Sequence, residues 1–132
     1  MNVPEHYESD ILFFFDGMPD RLALYQALFQ QLEAAFSEAS TRVQKSQISF
    51  YGTHLFAMVS LPKRKRDPGI VVTFGLGRHE LSPRIGAAVE PYPGRWTHHV
   101  TVTDIREIDS ELLGWLGEAW IFSRDKKRGR AQ

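Results

Sequence analysis

The spacing of apolar residues predicts three helices, two near the start of the chain and one near its end. A short apolar run at 11–15 follows Ser9 and Asp10, either of which is a suitable cap, and Asp16-Gly17 ends it. A longer amphipathic pattern covers 19–39, and a last helix begins after Asp109. The buried stripes predicted for these two helices are Leu22, Tyr25, Phe29, Leu32 and Phe36, then Leu112, Trp115 or Leu116, Ala119 and Phe122.

Between the helices the apolar period shortens to about two residues, which is typical of β-strands. The predicted strands are 41–45, 47–51, 54–61, 70–76 and 96–103. Residues 77–94 hold three Pro and three Gly, so we predict an ordered loop there with a helical turn at 83–89. Short connections imply an antiparallel sheet, and helices at both chain ends imply that they cover one of its faces.

The fold class that follows is α+β, a two-layer sandwich of order α-α-β(4–5)-α with a mostly antiparallel sheet. Residues 1–8 are predicted to be an N-terminal arm, 9–124 a single domain and 125–132 a basic flexible tail. The 132 residues, 42% of them hydrophobic, suffice for one packed core. The chain has no Cys and no apolar run near the roughly 20 residues of a membrane span, so a cytoplasmic location without membrane contact is expected.

Alternation of side chains divides the predicted sheet into an apolar face and a polar face. The apolar face carries Ile48, Phe50, Val72, Phe74, Trp96, His98 and Val100. The polar face carries Gln47, Ser49, Tyr51, Thr73, Thr97, His99 and Thr101, with Lys45 and Arg95 at strand entrances beside it. We expect helices on the apolar face. The polar face is either a solvated surface or a binding surface for an oxyanion or a base edge.

The charges sum to zero but are unevenly distributed along the chain. Residues 1–40 hold seven acidic side chains and one basic one, whereas 41–132 hold fifteen basic and nine acidic ones. Such asymmetry orients a protein toward an anionic partner, or is simply a surface dipole. The basic run 63–66 lies between two predicted strands, so it projects as a loop that contacts phosphates or only raises solubility.

Two loop segments carry further candidate groups. Arg78 and Arg84 lie on either side of Ser82, which would cap a helical turn beginning at Pro83. The free backbone N–H groups of that turn, together with the two arginines, could hold a phosphate. The alternative is a capped loop with solvated arginines. In segment 90–99, two Pro and a Gly restrict the backbone before the adjacent histidines 98 and 99. Adjacent histidines on a strand point to opposite faces, so they cannot chelate one metal together. We place His98 in the core and interpret His99 as a candidate acid, base or hydrogen-bond donor.

Several stretches together resemble a bacterial family of small domains of unknown function, domain of unknown function 5655. They are Phe14–Gly17, Lys45–Tyr51, Phe74–Arg84, Glu90–His99 and Leu112–Leu116. The likeness covers about residues 10–123, and Pro-Tyr-Pro-Gly-Arg-Trp-Thr-His-His is its most specific string. The resemblance implies no catalytic residues; members occur alone or attached to larger proteins, some of them nuclease-like. More distantly, the order of elements is similar to YjbR-like domains, which implies a frataxin-like sandwich and, by analogy, DNA binding.

These observations support three hypotheses. The first is a non-catalytic module for an anionic ligand, with nucleic acid the favoured kind. Its candidate binding residues are Lys45, Gln47, Ser49, Tyr51, Arg78, Arg84, Arg95 and His99. The second is a protein-interaction or accessory domain that uses an exposed sheet edge or the aromatic-rich loop. The third is an enzyme on a small anionic metabolite, with His99 as base. We expect no cofactor and no metal, and the oligomeric state stays open.

Overall fold

The computed structural model describes residues 1–125, which form three α-helices and one six-stranded antiparallel sheet. The helices are α1 (Tyr7–Phe14), α2 (Pro19–Ala35) and α3 (Ser110–Arg124), with a 3-10 turn at Ile105–Glu107. The strands are β1 (Ser40–Val43), β2 (Ile48–Tyr51), β3 (Leu55–Ser60), β4 (Ile70–Leu76), β5 (Ile85–Tyr92) and β6 (Arg95–Val102), in the sheet order β1-β2-β3-β4-β6-β5. The predicted α+β class is confirmed. No helix in this part of the chain is long and apolar enough to cross a membrane.

Strand β5 corrects the prediction of a loop with a helical turn at 83–89. It is an edge strand paired only with β6, so Pro91, which lacks an N–H, is tolerated there. Register shifts between Ile85 and Ala87 and between Val89 and Tyr92 absorb its irregular sequence. The two-residue turn to β6 contains Gly94 at φ 75°, a conformation that favours glycine.

The N-terminal residues are ordered, which corrects the prediction of an arm. Asn2 forms a parallel bridge with Ser40; its N–H donates to the Ala39 carbonyl, and its own carbonyl accepts from Thr41, both at 2.9 Å. Tyr7 starts α1 and is buried, with its hydroxyl 2.6 Å from that of Tyr25. The bridge pairs part of the outer edge of β1, which protects that edge from other chains. Of the predicted tail, residues 126–132 lie outside the described residues.

One row of paired residues crosses all six strands on the side that faces the helices. In sheet order it contains Thr41, Phe50, Ala57, Phe74, His98 and Ala88. Phe74 stacks on Trp115 of α3, with ring centroids 5.8 Å apart and an interplanar angle of 20°. The predicted apolar face implies that its six non-polar side chains, Ile48, Phe50, Val72, Phe74, Trp96 and Val100, are inaccessible to solvent, and all but Trp96 are at most 2% exposed. The predicted face assignment is therefore confirmed for these strands.

Trp96 is the exception among those six residues, since it is only partly buried. It pairs with Leu76 near the end of the sheet, next to the β5–β6 turn. Its indole stacks on the His79 ring, with centroids 4.2 Å apart and planes 6° from parallel. The predicted alternation of side chains in β6 is correct, but the Trp96 ring lies at the margin of the core, where His79 covers it.

Substitution of Phe74 by alanine tests the core assignment. We expect Phe74→Ala to lower the free energy of unfolding by about 3–5 kcal/mol, because it removes a buried ring and leaves a cavity under Trp115. Thr101→Ala, an exposed position in β6, should stay within about 0.5 kcal/mol of the parent. Urea unfolding followed by tryptophan fluorescence measures both. Equal midpoints for the two variants would contradict the assignment.

Candidate ligand-binding site

A second row of paired residues crosses the sheet on the side opposite the helices. In sheet order it contains Arg42, Ser49, Met58, Thr73, His99 and Ala87. Each member is next in sequence to a member of the helix-facing row, so its side chain points the other way. Thr97 and Thr101 continue this side along β6, and we call the whole surface the open face. The candidate site is built on it.

Ser49 is the centre of a small hydrogen-bond network on the open face. The Gln47 Nε2 donates to the Ser49 Oγ at 2.8 Å, and that hydroxyl donates to the Gln44 Oε1, also at 2.8 Å. Ser49 is fully buried, while Gln47 is only partly buried. The serine therefore orients the two amides. Gln44 is exposed and Gln47 is partly exposed, so a ligand would reach both.

His99 supplies a neutral imidazole in the middle of β6. Its Nδ1 lies 2.9 Å from the Thr73 Oγ1, and the ring is partly buried. Burial, and then the nearby Lys63 ammonium, lower the pKa of His99 from its ordinary value of 6.5. The imidazole is therefore uncharged at pH 7, and it offers a hydrogen bond rather than a positive charge.

Positive charge on the open face comes from Arg42, Lys63 and Arg95. The Arg42 guanidinium lies over the Tyr51 ring, 4.6 Å from its centroid, in a cation–π contact. Arg95 pairs with Tyr92 at the start of β6. Lys45 borders a shallow cavity beside Phe13 and Phe14 of α1, so it lies at the rim near the helices. Sequence reasoning missed Arg42, although strand alternation from Thr41 would have placed it on this face.

Arg78, one of the predicted binding residues, is held in ion pairs. Its Nε and Nη2 each bond a Glu118 carboxylate oxygen at 2.8 Å, and its Nη1 bonds Glu80 at 2.7 Å. Hydrogen bonding to Arg78 is the main cause that lowers the pKa of both carboxyl groups. The guanidinium ties the loop after β4 to helix α3, and we leave it out of the proposed site.

Arg84 lies at the other end of the same loop, and its side chain is less exposed than that of Arg78. Its Nη1 contacts Asp109 and Glu111 at 2.9 Å, and its Nη2 donates to the Glu107 carbonyl at 2.7 Å. The predicted helical turn with free N–H groups does not form at Pro83, because the Arg84 N–H donates to the Ser82 Oγ and the chain enters β5. Arg84 therefore secures the start of α3 and is also left out.

His98 lies in the core, as predicted. It is fully buried and stacks on Phe74, and its Nε2 accepts from the Glu80 N–H at 3.0 Å. Its Nδ1 has no hydrogen-bond partner among residues 1–125. Burial, and then His79, lower the pKa of His98, so this ring is neutral at pH 7 and fixes the loop after β4.

Charge is segregated between the two layers of the domain. Residues 40–103, which contain the sheet, hold nine basic and three acidic side chains. The flanking segments 1–39 and 104–125, which contain the helices, hold thirteen acidic and three basic ones. Of the nine bases, seven form no ion pair with any residue of 1–125; Arg78 and Arg84 are the other two. In the same residues, no three His, Asp or Glu side chains converge to hold a metal ion.

The two loop arginines should differ in their effect on stability. Arg84→Ala should lower the free energy of unfolding by about 1–3 kcal/mol, since it leaves a carbonyl and two carboxylates without their charged partner. Arg78→Ala should cost below about 1 kcal/mol, because its side chain is 48% exposed against 24% for Arg84. Chemical denaturation at low salt gives both values. The opposite order would show that Arg84 is not a structural anchor.

The fold and this surface define the class of protein: a two-layer α+β domain with a polar sheet face flanked by cations. The chain belongs to the family Domain of unknown function (DUF5655), whose model matches residues 14–123. No curated protein matches the chain, and no solved structure does. The similarity in layout to YjbR-like and frataxin-like domains therefore stays a prediction.

Proposed function

We propose that this domain is a non-catalytic module that binds nucleic acid on its open face. The observation that carries the proposal is that seven basic side chains of the sheet segment 40–103 form no ion pair within residues 1–125, and that three of them, Arg42, Lys63 and Arg95, lie on or beside the open face. Acidic side chains are concentrated in the helix layer instead. A polyanion would therefore be attracted to one side of the molecule and repelled by the other.

The groups on the open face suit the parts of a single nucleic-acid strand. Arg42, Lys63 and Arg95 supply charge for phosphates. Gln47 and His99 supply hydrogen-bonding groups for base edges, with Thr97 and Thr101 beside them. A broad sheet surface suits unpaired bases better than a duplex, whose base edges lie inside grooves. We therefore expect single strands to bind more tightly than duplexes of the same length.

The surroundings of His99 favour binding over catalysis. Its Nδ1 is within hydrogen-bond distance of a threonine hydroxyl rather than a carboxylate. The six strands contain a single acidic residue, Glu90, and its carboxylate accepts the Gly94 N–H at 2.9 Å. The imidazole thus lacks the acidic partner that orients a histidine base in acyl-transfer enzymes.

Fluorescence anisotropy with a labelled single-stranded oligonucleotide tests the proposal. Affinity should fall as salt rises, with a log–log slope of about −0.7 per phosphate contact. Arg42→Gln/Arg95→Gln should weaken binding and make the slope shallower. The matched control is Arg106→Gln/Arg124→Gln, which removes the same charge from the acidic layer and should leave the slope unchanged.

Two outcomes would contradict nucleic-acid binding on the open face. The first is no binding by the parent at low salt. The second is an equal loss of affinity in both double variants, which would mean that net charge alone attracts the oligonucleotide. All variants keep the complete chain, so any contribution from residues 126–132 is constant across the comparison.

A protein-interaction surface is the second candidate function. Two large apolar side chains of α1 are exposed, Phe13 at 83% and Leu12 at 58%. Exposed apolar groups that lie side by side often mark contacts with another protein. They lie in the helix layer, away from the open face, so Phe13→Ser should leave oligonucleotide binding unchanged even if this surface has its own partner.

A further inference from the structure

A cavity of about 200 Å³ opens where the last turns of α3 meet the β5–β6 hairpin. Its apolar walls come from Leu55, Phe56, Trp96 and Phe122. Its polar lining comes from Tyr92, Arg95, Thr97 and Ser123. This volume is smaller than the roughly 300–1,000 Å³ of pockets for drug-sized ligands, so it suits a single substituted ring.

Contacts outside the cavity hold its aromatic walls in place. The Trp96 indole is stacked on His79, and the Phe56 ring packs edge-on against Trp120 with centroids 5.1 Å apart. The Phe122 ring lies so close to Gly77 that a Cβ there would come within 2.9 Å of it. Because these rings are already ordered, a ligand would bind with little conformational cost.

The polar lining includes one cation without an acidic partner. Arg95 forms no ion pair with residues 1–125, and Glu90, the nearest acid in sequence, is turned toward the Gly94 N–H. Ser123 is 5% exposed, and its Oγ donates to the Trp120 carbonyl at 2.9 Å, which leaves its oxygen as an acceptor. A guanidinium beside an apolar cavity favours an anionic group attached to an apolar body.

We infer that this cavity binds a small aromatic carboxylate, with its ring against Trp96 and Phe122 and its carboxylate on Arg95. The inference does not rest on nucleic-acid binding, although Arg95 borders both surfaces. A ligand in the cavity would contact α3 and the β5–β6 hairpin. An oligonucleotide on the open face would also contact Arg42 and Lys63, which do not line the cavity.

Titration of the ¹⁵N-labelled chain with benzoate, benzamide and benzylamine, followed by amide and indole resonances, tests this inference. Benzoate should shift the Trp96 indole N–H and the Thr97 and Ser123 amides, and bind about tenfold more tightly than benzamide. Benzylamine should not bind. Arg95→Gln should reduce benzoate affinity to that of benzamide without changing the latter, and Ser123→Leu, which fills the cavity, should abolish both. Arg64→Gln, an exposed loop arginine, is the matched control.

Several results would overturn the inference. Equal affinity for benzoate and benzamide would overturn it, because then no cation takes part in recognition. Shifts confined to the open face, or no shift at all, would also overturn it. Arg95→Gln changes a partly exposed side chain and provides the test even if Ser123→Leu does not fold. Nucleic-acid binding is not measured in this titration, so the two proposals fail separately.

Discussion

The alternation of side chains along the strands is the constraint on which both surfaces of the domain depend. Thr73 and Phe74 are neighbours in β4, yet Phe74 packs under Trp115 while Thr73 faces His99 on the other side. The two rows of paired residues run across all six strands, so burial of one row places the adjacent row on the open face. A slip of one residue would exchange the two rows and bury the polar groups, which makes the register strongly specified.

Ion pairs determine where positive charge stays available. Arg78 and Arg84 hold the connection between β4 and β5 against α3 and against Asp109, the residue just before that helix. Both arginines thereby satisfy acidic groups of the helix layer and are withdrawn from ligand binding. Arg42, Lys63 and Arg95 have no such partner within residues 1–125. Because the acidic side chains are concentrated in the helix layer, these three cations give the opposite side of the sheet a positive charge.

Local signals in the sequence were sufficient for the fold class and for the facing of the central strands. Strand β4 was predicted with its observed bounds, because it opens with four consecutive β-branched residues and every second position from Ile70 to Leu76 is apolar. The cap of α3 was also readable, and the Asp109 carboxylate accepts the Leu112 N–H at 3.0 Å. Strand β5 was missed because three Pro and three Gly in 77–94 are typical of a loop, and an edge strand tolerates them where a central strand would not.

The candidate site was less predictable, because the contacts that decide it join distant parts of the chain. Arg78 meets Glu118 forty residues later, and Arg84 meets Asp109 twenty-five residues later. No local pattern indicates such pairs, so both arginines looked free for a phosphate. The burial of Ser49 under two glutamine amides depends on the turn geometry between β1 and β2. The position of His99 on the open face, in contrast, was predicted from strand parity alone.

The measurement that tests the central claim most directly is a map of backbone amide shifts during titration with a single-stranded oligonucleotide. The expected changes lie along the open-face row, at Arg42, Thr73 and His99, and at Thr97 and Thr101 of β6. Little change is expected in α1 and α2, whose side of the domain is acidic. Changes confined to the helix layer, or an unchanged spectrum at low salt, would contradict the assignment of the open face as the binding surface.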